Sequence, residues 1–243
     1  MSGRRFLTAR WEHLVLLNYA VDPACLRHLV PAGTELDDWR GRHYVSLVGF
    51  QFRDTRVLGV ALPGHREFEE VNLRFYVRRP AADGYRRAVV FIRELVPRRA
   101  IAFVARAIYN EPYLAVPMSH NVKLDPDVGG SIAYGWTFRG HPYSIEARVE
   151  GSPARLAPDS EGAFITEHYW GYTRQRDGGT LEYQVEHPRW PAWTPAIATF
   201  NGPAAELYGP SFGGILAETP ASAFVALGSP VVVRRGVRVP LVG

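Results

Sequence analysis

The chain predicts a mainly β (α+β) fold, an antiparallel barrel or cone with a few peripheral helices. Three observations carry this. About ten short segments alternate apolar and polar residues with the period of two that marks strands. Turn residues punctuate them at Pro80–Gly84, Asp125-Pro126-Asp127, Gly129-Gly130 and Asp177-Gly178. No repeat or linker divides the 243 residues, which read as a single domain 1–243, and 47% hydrophobic residues suffice for its core.

The elements follow in order. His13–Ala20 reads as a strand. Asp22 and Pro23 supply an N-cap and a first-turn proline, predicting a short helix to Val30. Thr34–Asp38 and His43–Phe52 read as a hairpin across Trp39-Arg40-Gly41, and 53–67 as a long loop of the kind that often carries function. The clearest strand is 68–79. Glu69, Val71, Leu73, Phe75 and Val77 share one face; Glu70, Asn72, Arg74, Tyr76 and Arg78 share the other. Same-face neighbours stand about 7 Å apart. The strand thus offers an acid, an amide and a guanidinium in a row, either as a pocket wall or as a solvated face.

A return strand spans Tyr85–Leu95. A helix over 97–109 places Ile101, Val104, Ala105 and Ile108 along one face. Leu114–Leu124 reads as a strand, and Ser131–Arg139 with Tyr143–Glu150 as a hairpin. Ser160 caps a helix to Thr166. Tyr169–Arg176 and Thr180–Glu186 form a further hairpin. A tight turn at Asp177-Gly178 sets Tyr172 opposite Tyr183, Trp170 opposite Val185 and His168 opposite His187. That face is core or cavity wall; Tyr169, Thr173, Glu182, Gln184 and Glu186 make an exposed one. A weak helix at Ala204–Tyr208 and a strand at Pro230–Arg235 complete the chain.

Composition excludes several functions. The net charge is +4 and the arginines are scattered, so no nucleic-acid partner is expected. The N-terminus does not read as a signal peptide. No run approaches the roughly 18 apolar residues of a membrane span, so no membrane partner is expected. Cys25 stands alone and fits a reducing, cytoplasmic setting. His168 and His187 lack a third ligand with metal spacing, and no nucleotide-binding glycine loop is present, so neither a metal nor a cofactor is expected. Gly209-Pro210-Ser211-Phe212-Gly213 spells a serine-hydrolase motif, but it reads as a loop. Whether identical chains assemble into a homo-oligomer is left open.

The run 11–50, then FEEVNLRFYVRR, NEPYLAVPM and TEHYWGYTRQRDGGTLEYQVEHPRW, resembles the YqjF-like family of unknown function, DUF2071, over roughly residues 8–193. That family is similar to acetoacetate decarboxylase. The resemblance implies an acetoacetate decarboxylase-like barrel or cone with a central cavity. It also implies what is missing. Tyr113 and Leu114 stand where the decarboxylase carries its lysine pair, and the one lysine, Lys123, is on the order of 30 Å farther along an extended strand. Schiff-base decarboxylation is therefore not expected. Glu70 matches a cavity glutamate of that family, whereas a second falls near Val45-Ser46 and has no counterpart.

Two functions follow as expectations. One is an enzyme acting on a small oxo-acid or aromatic metabolite as a lyase, hydratase or isomerase, with Glu70 as general acid or base, Arg74 as anion clamp and Tyr113 as carbonyl partner. The other is a non-catalytic protein that binds or senses a small molecule. Asn72, Glu111, His168, Trp170, Tyr172 and His187 are the expected ligand contacts, although Glu111, extended before Pro112, more commonly faces solvent.

Overall fold

Long antiparallel strands set the architecture of the computed structural model, which describes residues 4–82 and 84–240; the side chains at 104, 105, 107 and 108 lie outside the described residues. The chain opens with β1 (Arg5–Val21), β2 (Glu35–Leu36), β3 (His43–Val57), β4 (Phe68–Ala81) and β5 (Gly84–Val96). Helix α1 (Arg99–Tyr109) leads to β6 (Tyr113–Ala115), β7 (Met118–Asp125), β8 (Gly129–Phe138), β9 (His141–Glu150) and β10 (Ala154–Arg155). After α2 (Glu161–Thr166) come β11 (Trp170–Arg174), β12 (Thr180–Glu186), β13 (Pro191–Trp193) and β14 (Ile197–Asn201). Helices α3 (Ala204–Tyr208) and α4 (Pro210–Ala217) precede β15 (Ser222–Arg234) and β16 (Val237–Arg238).

Most strands join one sheet. β15, β1, β3, β4 and β5 pair antiparallel in that order, β5 runs parallel to β11, and β11 is antiparallel to β12. β12 then pairs with β15 through Val185–Val233 and Glu186–Val232, so the path ends on the strand from which it began. A second sheet runs β14-β9-β8-β7.

β4 is buried on both faces. Val71, Leu73, Phe75 and Val77 share a hydrophobic cluster with Ile132, Tyr134, Trp136 and Ile145 of the second sheet and with Leu207 and Phe212 of α3 and α4. Phe68 and Tyr76, on the other face, cluster with Leu16, Phe50, Phe52 and Phe164. Glu70 and Asn72 lie on this inner face, 3% and 2% exposed.

A bulge changes the phase of β5. Leu73 pairs with Arg93 but Arg74 pairs with Phe91, leaving Ile92 as the extra residue. Val89 and Phe91 point to the inner cluster before the bulge; after it Val96 does, and Glu94 shares its parity.

Several expected elements are redrawn by tertiary contacts. β3 continues to Val57 because the long β1 pairs with it as far as Leu7, so the loop shrinks to 58–67. Glu35 and Leu36 pair with Arg78 and Val77 of β4, not with β3, helped by a 2.7 Å contact from Arg78 Nε to Glu35 Oε1. Asp22 does cap, accepting from the Ala24 N–H at 2.8 Å, but two 3-10 turns follow in place of one helix. The expected strand 114–124 breaks at Val116-Pro117, since proline cannot donate to a ladder; its halves join different sheets. Position 83 of the expected turn, like the side chains of Val104, Ala105 and Ile108 on the expected α1 face, lies outside the described residues. Ser211 stands in helix α4, preceded by helix α3, so its motif is neither a loop nor a strand-to-helix elbow.

The 169–187 hairpin has a longer loop than a two-residue turn. The Gln175 N–H donates to Gly179 O at 2.8 Å, and Gly178 adopts φ +82°. The register moves by one residue, which exchanges the faces. Gly171 opposes Tyr183, Tyr172 opposes Glu182, and Trp170 opposes Gln184. Thr173 and Glu182, expected in solvent, are buried.

Candidate functional site

A pocket of about 370 Å³ opens among β1, β3, β4, the 58–67 loop, α1 and β12. Its walls are apolar and largely aromatic: Phe6, Trp11, Phe52, Phe68, Phe91 and Ile101 line them. Glu70, Glu94, Glu111, Tyr113 and Tyr183 supply its deep polar side chains. Among the described residues that line it, none is a lysine or arginine.

Strand pairing brings these groups together. Glu94 is the Cα partner of Asn72 on one side and of Tyr113, on the parallel β6, on the other. Helix α1 ends at Asn110 in the left-handed conformation (φ 56°), which asparagine tolerates better than most residues. The Asn110 amide donates to Arg174 O at 2.8 Å, pinning the turn. Glu111-Pro112-Tyr113 then closes a γ-turn, the Tyr113 N–H donating to Glu111 O at 2.8 Å, and both side chains line the pocket.

The hydrogen bonds are specific. Tyr113 Oη donates to Glu70 Oε2 at 2.9 Å and Asn72 Nδ2 to Glu70 Oε1 at 3.0 Å. Tyr183 Oη donates to Glu111 Oε1 at 2.8 Å, and Thr173 Oγ1 donates to the same oxygen. Gly171 makes room for Tyr183: a Cβ there would stand 2.2 Å from the ring. Glu94 is 2% exposed, and its Oε2 has no partner.

Burial dominates the electrostatics. It pushes the Glu70 carboxyl up to about 7, against the Asn72 and Tyr113 donors and the charge of Arg74. Burial also takes Glu111 to about 7, against its two hydroxyl donors and with the charge of Glu70 adding to the rise. Glu94 is held well above the usual carboxyl range by burial, then by the charges of Glu111 and Glu70. Burial and these carboxylates raise the Tyr113 and Tyr183 phenols well above 10, so both remain proton donors to hydrogen bonds. Near neutral pH the cluster holds protons it can exchange. Such a site suits general acid–base chemistry. Among the described residues no group of three or more His, Cys, Asp or Glu is arranged to hold a metal ion.

The expected site residues divide. Glu70, Glu111 and Tyr113 line the pocket, and Asn72 stands behind Glu70; Glu111 is buried, not in solvent. Arg74 lies outside the lining. Two residue pairs along a strand carry it roughly 14 Å from Glu70 if fully extended, and its Nη2 lies 3.4 Å from Ile165 O of α2. It is not an anion clamp for this pocket. His168 lies against Tyr76, ring centroids 4.6 Å apart, with Nε2 3.8 Å from Asp37 Oδ2. His187 stacks on Trp190 at 4.2 Å. Trp170 receives the Arg86 guanidinium at 4.3 Å, and Tyr172 donates to Glu182 at 2.6 Å. None of these four lines the pocket; the register shift turns Tyr172 away from the face of Tyr183, whereas His168 and His187 lie outside the paired strands. Lys123 is exposed on β7 of the second sheet.

Glu94, Thr173 and Tyr183 complete the polar cluster beyond the expected set. An acid amid Phe91-Ile92-Arg93-Glu94-Leu95-Val96 was the available signal for Glu94, but plain alternation assigns it to the face of Val90 and Ile92.

The DUF2071 family model, described as an uncharacterized conserved protein, matches residues 8–227, and the chain belongs to that family. "Uncharacterized protein YqjF" of Bacillus subtilis (strain 168) is 26% identical over 188 residues, 77% of this chain and 75% of that protein. Acetoacetate decarboxylase from Legionella pneumophila matches with a TM-score of 0.67 and 14% identity, over 98% of this chain and 88% of that one. The enduracididine biosynthesis enzyme MppR, complexed with pyruvate, matches with a TM-score of 0.68 and 14% identity, over 100% of this chain and 93% of that one. At such identities the likeness is one of fold.

Proposed function

We propose that this DUF2071 protein is an enzyme that moves protons on a small, apolar, most simply aromatic substrate, without a lysine Schiff base. One observation carries the reading: three buried carboxyl groups meet the phenols of Tyr113 and Tyr183 in a mostly apolar pocket whose described lining holds no lysine or arginine. The strand path that returns to β15, together with the fold likeness, supports a barrel or cone with this pocket as its cavity. A single unpaired cysteine fits the cytoplasm as its location.

Glu70 is the general base or acid. It takes a proton from the carbon beside a carbonyl, and Tyr113 donates to the oxygen on which negative charge develops. The same proton, or one from Glu94, is returned at another position, as in an isomerase; loss of a leaving group in its place gives a hydratase or lyase. An oxo-acid fits less well than an aryl ketone, because its carboxylate would meet carboxyl groups and no cation.

Deuterium wash-in tests this. Phenylacetone in D₂O with the wild-type protein should exchange the hydrogens beside its carbonyl, followed by proton NMR. Glu70→Gln should slow that exchange by about 100-fold or more. Exchange at the wild-type rate in this variant would remove Glu70 from the mechanism. Binding of the ketone with no exchange would make the protein a binding or sensing protein.

A further inference from the structure

Donor and acceptor counts in the pocket do not balance. Asn72, Tyr113, Tyr183 and Thr173 all point their donors at Glu70 or Glu111. Of the buried lining atoms without a partner, Trp11 Nε1, Thr55 Oγ1 and Tyr109 Oη belong to the wall, and Glu94 Oε2 is the carboxyl oxygen among them. A buried acceptor without a donor is unfavourable, so the missing donor is expected to arrive with a ligand.

We propose that the ligand carries a cationic nitrogen, an ammonium or amidinium head on an apolar body, and that this head seats against Glu94. This rests on the pocket being the functional site, but not on the proton transfer assigned to Glu70. An ammonium brings three donors and a positive charge to a cluster of three carboxyl groups. Glu70 and Glu111 surround Glu94 closely enough for their charges to act on it. Trp11, Phe52, Phe68 and Phe91 give the organic body an aromatic wall, and aromatic faces attract cations. An anion would instead meet three carboxyl groups and, among the described lining residues, no lysine or arginine.

The charged surroundings are few. Arg74 acts on Glu70 from farther along β4. Tyr109 of α1, Tyr113 of β6 and Tyr183 of β12 border the acids and stay neutral. His65 lines the pocket from the 58–67 loop, its Nδ1 2.9 Å from Pro63 O. Among the described lining residues no lysine or arginine competes with an incoming cation for Glu94. Cation binding then displaces the protons that keep the acids neutral, and they pass to the buffer.

Three probes of one shape and different charge test this by isothermal titration of the wild-type protein: 2-phenylethylammonium, propylbenzene and 3-phenylpropanoate. The ammonium should bind at least about tenfold more tightly than either of the others. At pH 6.5 its binding heat should vary with the ionisation heat of the buffer, reporting released protons. Glu94→Gln should weaken the ammonium by about tenfold and leave propylbenzene within about twofold. Equal or tighter binding of propylbenzene or phenylpropanoate overturns the proposal. So does ammonium binding without proton release, or binding of none of the three. The outcomes separate from those of the ketone experiment. Ammonium selectivity with no ketone exchange leaves this inference standing and removes the proton transfer; ketone exchange without ammonium selectivity does the opposite.

Discussion

Tyr113 and Glu70 are joined by a 2.9 Å hydrogen bond although β5 lies between their strands. The bond passes over the position of Glu94, so three adjacent strands contribute to one polar floor. Tyr113 is also the point at which the 110–113 turn commits to β6.

Removing that hydroxyl should shift Glu70. In Tyr113→Phe the carboxylate loses a donor that favours its charged form, so its pKa should rise further above about 7. The stability cost should stay within about 1 kcal/mol, because the protonated acid needs one donor partner fewer. Carboxyl-carbon NMR titration reads the shift directly. An unchanged Glu70 titration would mean that the bond is not formed in solution.

Gly171→Ala should disturb the opposite wall. Its Cβ would come within 2.5 Å of the Tyr183 hydroxyl and closer still to the ring. Either Tyr183 leaves Glu111 or the β11–β12 pair moves, at a cost of roughly 1–3 kcal/mol in urea unfolding. Gly214→Ala, in helix α4 with nothing within 4 Å of the added carbon, is the control. It should be neutral or slightly stabilising, by up to about 1 kcal/mol.

Glu182 should prove costly to truncate. It is buried, and it accepts from Arg79 Nη2 at 2.8 Å, Arg86 Nη1 at 2.6 Å and Tyr172. Glu182→Ala leaves two partly buried guanidiniums without this carboxylate, and about 3 kcal/mol should be lost. Urea unfolding at neutral pH measures it; a loss below about 1 kcal/mol would place the pair in the class of surface ion pairs.

Stability should respond to pH in two opposed ways. Glu70 and Glu111 rise from 4.5 to about 7 on folding, so the folded state binds more protons in that interval. Their contribution is complete below pH 4.5 and is lost as pH rises through about 7. His168 moves the other way, to about 4, through burial and the charges of Arg87 and Arg74, against the Asp37 hydrogen bond and charge. Its contribution is complete above 6.5 and is lost as pH falls through about 4. Urea unfolding between pH 5 and 8 should show wild-type stability falling as pH rises. Glu70→Gln with Glu111→Gln should flatten that fall; an unchanged slope would mean that these acids are not buried in solution. His168→Gln should remove the acid-side loss alone.

What local sequence determined here is what local sterics can set. Alternation in 68–79 defined β4 and its two faces, because a strand's period of two is written in consecutive residues. Ser160 announced α2, and Asp22 capped its turn, because both reach backbone only two or three residues away. The tertiary structure decided everything that depended on phase and partner. The Ile92 bulge turned Glu94 inward, the longer loop at 176–178 turned Tyr172 out and Tyr183 in, and Pro117 sent adjoining strands to different sheets. A one-residue slip leaves composition and hydrophobicity nearly unchanged, yet it reverses which side chains reach the pocket. Only the pairing of distant strands determines that slip. The carboxyl pKa values belong there too, since burial sets them and burial is a property of the assembled fold.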